Sequence, residues 1–120
     1  MVQSLLVIIT NAPYGFEHPF AGIRLALAQL AGGVLDKADC VLLDDGIYNA
    51  KLGQKSEVLG MPSNLEAIQD NLDLGGKVYY VKEDAEERLI PPDQMLEGVT
   101  PISGDGLKQL VKEYEATVTC

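Results

Sequence analysis

What the chain has little of narrows its chemistry first. Its two cysteines, Cys40 and Cys120, form neither a disulfide framework nor a metal-ligand spacing. With one histidine, His18, there is no ligand set for a structural zinc site, and no metal is expected. So sparing a use of thiols fits a reducing cytosol, and the expected location is cytoplasmic. Basic residues are scarce as well: nine Lys and Arg stand against eighteen Asp and Glu, a formal charge of −9. Such a surface repels phosphate backbones. Lys51 and Lys55 share a loop, and Lys108 and Lys112 form an i,i+4 pair. Neither makes a basic patch, so direct nucleic-acid binding is not expected. No apolar run is long enough for a membrane helix, and no basic residue precedes the first one as in a signal peptide. The phosphate-cradling patterns GxxxxGK[ST] and GxGxxG are missing, as are the GxSxG nucleophile elbow and a Ser/Thr-rich flavin-phosphate loop. No cofactor is expected.

What is present reads as one α/β domain spanning residues 1–120. Within Ser4 to Thr10, Leu5 to Ile9 are five apolar residues in a row, three of them β-branched, the habit of a strand buried on both faces of a parallel sheet. A loop from Asn11 to Pro19 leads into a helix from Pro19 or Phe20 to Ala31, apolar on nearly every face. One face suits the sheet; the other is left for another subunit. Ala38 to Leu43 is a second buried strand, ending at the turn signal Asp44-Asp45-Gly46. A helical turn is expected over Ile47 to Leu52 and otherwise loop as far as Leu59. Ser63 and Glu66 form a capping box for a helix with Leu65, Ile68 and Leu72 inward and Glu66, Gln69, Asp70 and Asn71 toward water. Val78 to Val81 is the third strand, followed by a short acidic helix over Asp84 to Leu89. Val99 to Ile102 is a weak strand interrupted by Pro101. Ser103 or Asp105 caps a helix carrying Leu107, Leu110, Val111 and Tyr114, and Ala116 to Cys120 is the last strand. This alternation predicts a three-layer α/β/α sandwich on a mostly parallel five-stranded sheet.

In such sheets ligands gather at the carboxyl ends of the strands. Four segments should meet there: 11–19, 44–48, 82–88 and 103–106. The side chains they offer as pocket residues are Asn11, Tyr14, Glu17, His18, Asp44, Tyr48, Lys82, Asp84 and Arg88. Asp44-Asp45 reads as a turn whose side chains bond nearby backbone rather than as a magnesium site. His18 beside Glu17 could serve as an acid–base group, but with no nucleophile near it the reading preferred is a loop imidazole that caps the first helix or contacts a neighbour. Cys40 opens a buried strand and reads as a small inert hydrophobe. Cys120 is the weak catalytic candidate, with no helix N-terminus or basic neighbour in sequence to lower its pKa.

The run Thr10-Asn11-Ala12-Pro13-Tyr14-Gly15, the helix with Arg24-Leu25-Ala26-Leu27-Ala28, and Leu43-Asp44-Asp45-Gly46-Ile47-Tyr48 together resemble the DsrE/DsrF/TusD superfamily, also called YchN-like. The likeness continues through Gly76 to Val81 and Ala85-Glu86-Glu87-Arg88 to the end of the chain. It implies the same sandwich fold, homo- or hetero-oligomers (commonly trimers and hexamers), and a place in sulfur relay toward sulfur oxidation or tRNA thiolation. In relay members a cysteine just after the third strand carries a persulfide. Aligned on Arg88, that position falls near Val81 and Asp84, and no thiol lies between Cys40 and Cys120. The resemblance therefore implies a cytoplasmic, non-catalytic or atypical relay subunit, partnered by itself and by related relay subunits. If active, it would be a sulfurtransferase-type carrier. Two alternatives stand beside this reading: a homo-oligomeric small-metabolite-binding module, and an enzyme using Cys120 as an unconventional sulfur acceptor.

Overall fold

The apolar run near the start forms β1, Ser4–Ile9, and the sheet is built outward from it. The computed structural model describes residues 3–13, 17–60 and 63–120, with the side chains of Glu17, His18 and Leu59 outside that description. β1 lies between β2, Lys37–Leu42, and β5, Ala116–Thr119. β3, Val78–Val81, and the edge strand β4, Thr100–Ile102, complete the order β4-β3-β2-β1-β5. Every pairing is parallel. Alternation along β1 then sorts the core. Leu5, Val7 and Ile9 pack with Cys40, Leu42, Ile23 and Ile68 on one side, and Leu6 packs with Val41, Leu110 and Tyr114 on the other. The first side is covered by α1, Glu17–Ala31, and α2, Asn64–Asp73; the second by α4, Gly104–Val111. This is the expected three-layer sandwich.

The expected caps form. Ser63 Oγ accepts from Glu66 N–H at 3.1 Å, and Ser103 Oγ accepts from Gly106 N–H at 2.9 Å. Gly75, with φ +89°, ends α2 in a conformation that costs a glycine little.

Several expectations are corrected. Asn71 does not face water: it is 1% exposed, and its Nδ2 donates to the carbonyls of Ile23 and Ala67, both at 3.3 Å. A helix-period reading places it beside Asp70; the close packing of α1 on α2 encloses it. The helical turn starts at Asp44 and ends at Ala50, a 3₁₀ segment, because Gly46 N–H closes back onto the Leu43 carbonyl at 2.8 Å. A second 3₁₀ turn, Ser56–Leu59, occupies part of the expected loop. The acidic helix α3 is Lys82–Glu87, two residues earlier than expected, and Leu89, with φ +57°, lies beyond it. Pro101 does not break the fourth strand, since it stands opposite Tyr80 on the sheet's outermost strand. On α1, Ile23 and Ala26 are buried while Ala21, Leu25 and Ala28 are exposed. The helix thus keeps an uncharged outward stripe. Among the described residues no helix is long and apolar enough to cross a membrane.

Candidate functional site at the carboxyl edge of the sheet

Parallel strands deliver their carboxyl ends to one rim, and the chain ties that rim together with its own side chains. At the end of β1 the Ile9 carbonyl accepts from Leu43 N–H at 3.0 Å. Gly46 lies directly on that backbone: a Cβ there would overlap the Ile9 carbonyl oxygen and sit 2.8 Å from its carbon. At the end of β2 the Asp44 N–H donates to Asp84 Oδ2 at 2.7 Å, across to the first turn of α3. Arg88 Nε meets Asp45 Oδ1 at 3.0 Å, and Arg88 Nη1 donates to the Asp84 carbonyl at 3.2 Å. The hydrogen bond to Asp45 raises the Arg88 pKa, against a desolvation cost and with smaller charge contributions from Asp45, Asp84 and Glu87. At the end of β4 the Gly104 N–H donates to Glu83 Oε2 at 2.6 Å.

These contacts decide what the rim can take. Free N–H groups after a strand are ready anion sites, and a guanidinium is another. Here the N–H of Asp44, the N–H of Gly104 and the Arg88 guanidinium each already hold a carboxylate of the same chain. Lys82 is exposed and pairs with none of the described carboxylates. The consecutive residues Glu83 and Asp84 reach in two directions, one to α4 and one to the turn after β2.

Below the rim runs a buried polar chain. Arg24 Nη1 donates to Asn64 Oδ1 at 2.9 Å, and Asn64 Nδ2 to Asn49 Oδ1 at 3.0 Å. Asn49 Nδ2 then donates to the Asn11 carbonyl at 3.0 Å and the Gly46 carbonyl at 2.8 Å. Asn49 is fully buried and Asn64 only 2% exposed, so each amide must be partnered. The chain fixes Asn11, the first residue of the rim loop, to the turn that carries Asp44 and Tyr48. Arg24 also lies 3.9 Å over the Phe20 ring.

Of the expected pocket residues, Asn11, Asp44, Asp84 and Arg88 are thus brought to one rim by direct bonds. Tyr48 follows in the same 3₁₀ segment, half-buried against the core. Tyr14 and the side chains of Glu17 and His18 lie outside the described residues. Among the described residues no group of three His, Cys, Asp or Glu could hold a metal ion.

A family model, the DsrE/DsrF-like family, matches residues 3–120. The chain belongs to this family. An uncharacterized protein of Methanocaldococcus jannaschii, MJ0989, is 34% identical over 114 residues, covering 94% of this chain and 96% of its own length. The intracellular sulfur oxidation protein DsrF of Allochromatium vinosum is 28% identical over 99 residues, covering 81% of this chain and 71% of its own. Among solved structures, the ychN protein from E. coli superposes with a TM-score of 0.84 at 24% identity, covering 98% of this chain and 99% of that one. That likeness shows a shared fold.

Neither thiol of this chain lies just after β3, the position the resemblance points to. Cys40 is buried within β2 at 1% exposure, and its thiol pKa is pushed up to about 12, chiefly by burial, then by Asp39 and Cys120. Cys120 is half-buried under α1, where a Cβ on Gly22 would lie 3.1 Å from its Sγ, and burial raises its pKa too. A thiolate is the nucleophile, so both groups are held in the unreactive form near neutral pH. The sequence reading missed Glu83, Asn49 and Asn64. None of the three carried a local signal, because apart from the Gly46 carbonyl, three residues from Asn49, their partners are 15 to 40 residues away.

Proposed function

We propose that the chain is a cytoplasmic subunit connected with intracellular sulfur transfer that carries no relay thiol of its own. Membership in the DsrE/DsrF-like family and the likeness to a sulfur oxidation protein support the relay connection. One observation carries the rest. The stretch after β3, where the resemblance puts a persulfide cysteine, holds Asp84, and its carboxylate occupies the Asp44 N–H at 2.7 Å. A carboxylate there repels an anionic persulfide and fills the donor that would receive it. The uncharged stripe Ala21, Leu25 and Ala28 on α1 supports self-association, as a trimer or hexamer, in a chain whose net charge otherwise opposes contact between copies.

The test is intact-mass measurement after incubation with a persulfide donor, on wild type, Cys40→Ser and Cys120→Ser. The reading expects no added sulfur in any of them. Gain of one sulfur atom that disappears only in Cys120→Ser would overturn it in favour of Cys120 as acceptor. Self-association is tested separately by light scattering at micromolar concentration, where a monomer would refute it.

A further inference from the structure

The sequence guards one edge of the sheet and leaves the other open. β4 carries Pro101 at its centre, a residue that spoils an edge for further pairing. β5 is Ala-Thr-Val-Thr, without charge, proline or glycine, in a chain of net charge −9. Among the described residues no strand flanks it on the side away from β1. The ladder shows which backbone groups are left over. Cys120 turns both its groups to β1: its N–H donates to the Ile8 carbonyl at 2.7 Å, and its carbonyl accepts from Thr10 N–H at 3.3 Å. Alternation turns those of Ala116 and Val118 the same way and points the N–H and C=O of Thr117 and Thr119 outward. Side chains alternate too. Those of Thr117 and Thr119 are exposed on the α4 face, and Val118, beside Val7 on the α1 face, is 38% exposed. The acid just before the strand does not guard the edge either, since the Glu115 carboxylate accepts from Gln3 N–H of its own chain at 3.3 Å.

We propose that β5 pairs antiparallel with β5 of a second copy about a two-fold axis at Val118, joining the two five-stranded sheets into one. A second copy is the occupant because the edge is self-complementary: Thr117-Val118-Thr119 reads the same in both directions. Centred on Val118, the axis sets Thr117 against Thr119 of the partner subunit and Thr119 against Thr117 of the partner subunit. These are the residues whose N–H and C=O face outward, so both pairs become hydrogen-bonded pairs with threonine opposite threonine, a favourable cross-strand match. Val118 then meets Val118 of the partner subunit in a non-hydrogen-bonded pair, where side chains approach most closely. A register displaced by one residue would set outward groups against groups already spent on β1. The seam is also uncharged, which suits contact between copies that repel elsewhere. The proposal rests on the self-association reading and specifies it. A pairing of two short strands is weak alone, but repeated three times between two rings joined through the α1 stripe it closes a hexamer.

The test combines amide hydrogen exchange, assembly mass by light scattering and cross-linking, all on the full chain. In the wild-type assembly the Thr117 and Thr119 amides should exchange as slowly as that of Val118, although neither faces β1. Thr119→Pro removes an outward N–H and none that β1 uses, so circular dichroism should show the fold kept while the assembly falls to half the wild-type mass. In a Cys120→Ser background, Val118→Cys should link two copies on oxidation with diamide, and Thr117→Cys should not, because only position 118 meets itself across the axis. The proposal is overturned by fast exchange of Thr117 and Thr119 beside a slow Val118, by a folded Thr119→Pro protein of wild-type mass, or by cross-linking no stronger at 118 than at 117. If Thr119→Pro fails to fold, the exchange rates and the cross-links decide. A monomeric wild type would overturn the self-association reading and the proposal together, whereas a wild-type trimer with fast-exchanging Thr117 and Thr119 would overturn the proposal alone.

Discussion

Replacing Asn49 by Asp changes one NH₂ group for an oxygen and leaves the side-chain shape alone, which makes it a sharp probe of the buried polar chain. The native Nδ2 donates to the carbonyls of Asn11 and Gly46 at 3.0 and 2.8 Å in a fully buried site. In the variant both bonds vanish and an oxygen faces two oxygens. Each lost bond removes about 0.5–1.5 kcal/mol, and an ill-partnered buried charge costs several kcal/mol more unless it is neutralised. We therefore expect a loss of about 3–5 kcal/mol. The unfolding entropy of a 120-residue chain is about 0.25 kcal/mol/K, so the melting temperature should fall by about 12–20 °C. Mild acid should restore part of it, because a protonated carboxyl regains one donor. Circular dichroism or calorimetry reads the shift, with Asp73→Asn on the exposed end of α2 as a control expected to change stability by less than about 0.5 kcal/mol. A fall for Asn49→Asp no larger than the control's would refute the argument that this amide ties the Asn11 loop to the Asp44 turn.

Other consequences can be checked on the same scale. Tyr114 donates its hydroxyl to the buried carboxylate of Asp39, whose other oxygen accepts from Lys77 N–H at 2.8 Å. Tyr114→Phe should cost about 1.5–3 kcal/mol, read as a melting shift of about 6–12 °C. Cys40 sets an alkaline limit. Its thiol ionises near 9.0 when unfolded and only at about 12 when folded, so the unfolded state releases its proton first and stability falls as pH rises above 9. The Cys40 contribution to the slope approaches about 1.4 kcal/mol per pH unit, and Cys40→Ala should remove it in denaturant titrations between pH 9 and 10, leaving the part due to Cys120, Tyr79, Tyr80 and Tyr114, whose pKa values are also raised. Gly46→Ala should yield little folded protein, because the new methyl would collide with the Ile9 backbone rather than with a yielding side chain; solubility and thermal melts decide.

Much of the fold was legible because periodicity and capping are local properties. The β-branched run Val7-Ile8-Ile9, the Ser63 cap and the Ser103 cap all form within a few residues of chain. The convergence of Asn11, Asp44, Asp84 and Arg88 was legible for a topological reason, since parallel strands must end on one side. What was not legible depends on distant backbone. Asn71 looks like a polar surface residue until α1 closes over it, and its Oδ1 then has no partner among the described residues. Likewise nothing near Glu83 or Asp84 in the chain shows what its carboxylate meets. Only the register of β2, β3 and β4 reveals that each faces an N–H of a neighbouring segment.

The claim that the rim is closed by the chain's own carboxylates is tested most directly by amide hydrogen exchange at Asp44 and Gly104. In wild type both amides should be protected, Asp84→Ala should release Asp44 alone, and Glu83→Ala should release Gly104 alone. Rapid exchange of the Asp44 amide in the wild-type protein, or exchange unchanged by Asp84→Ala, would contradict it.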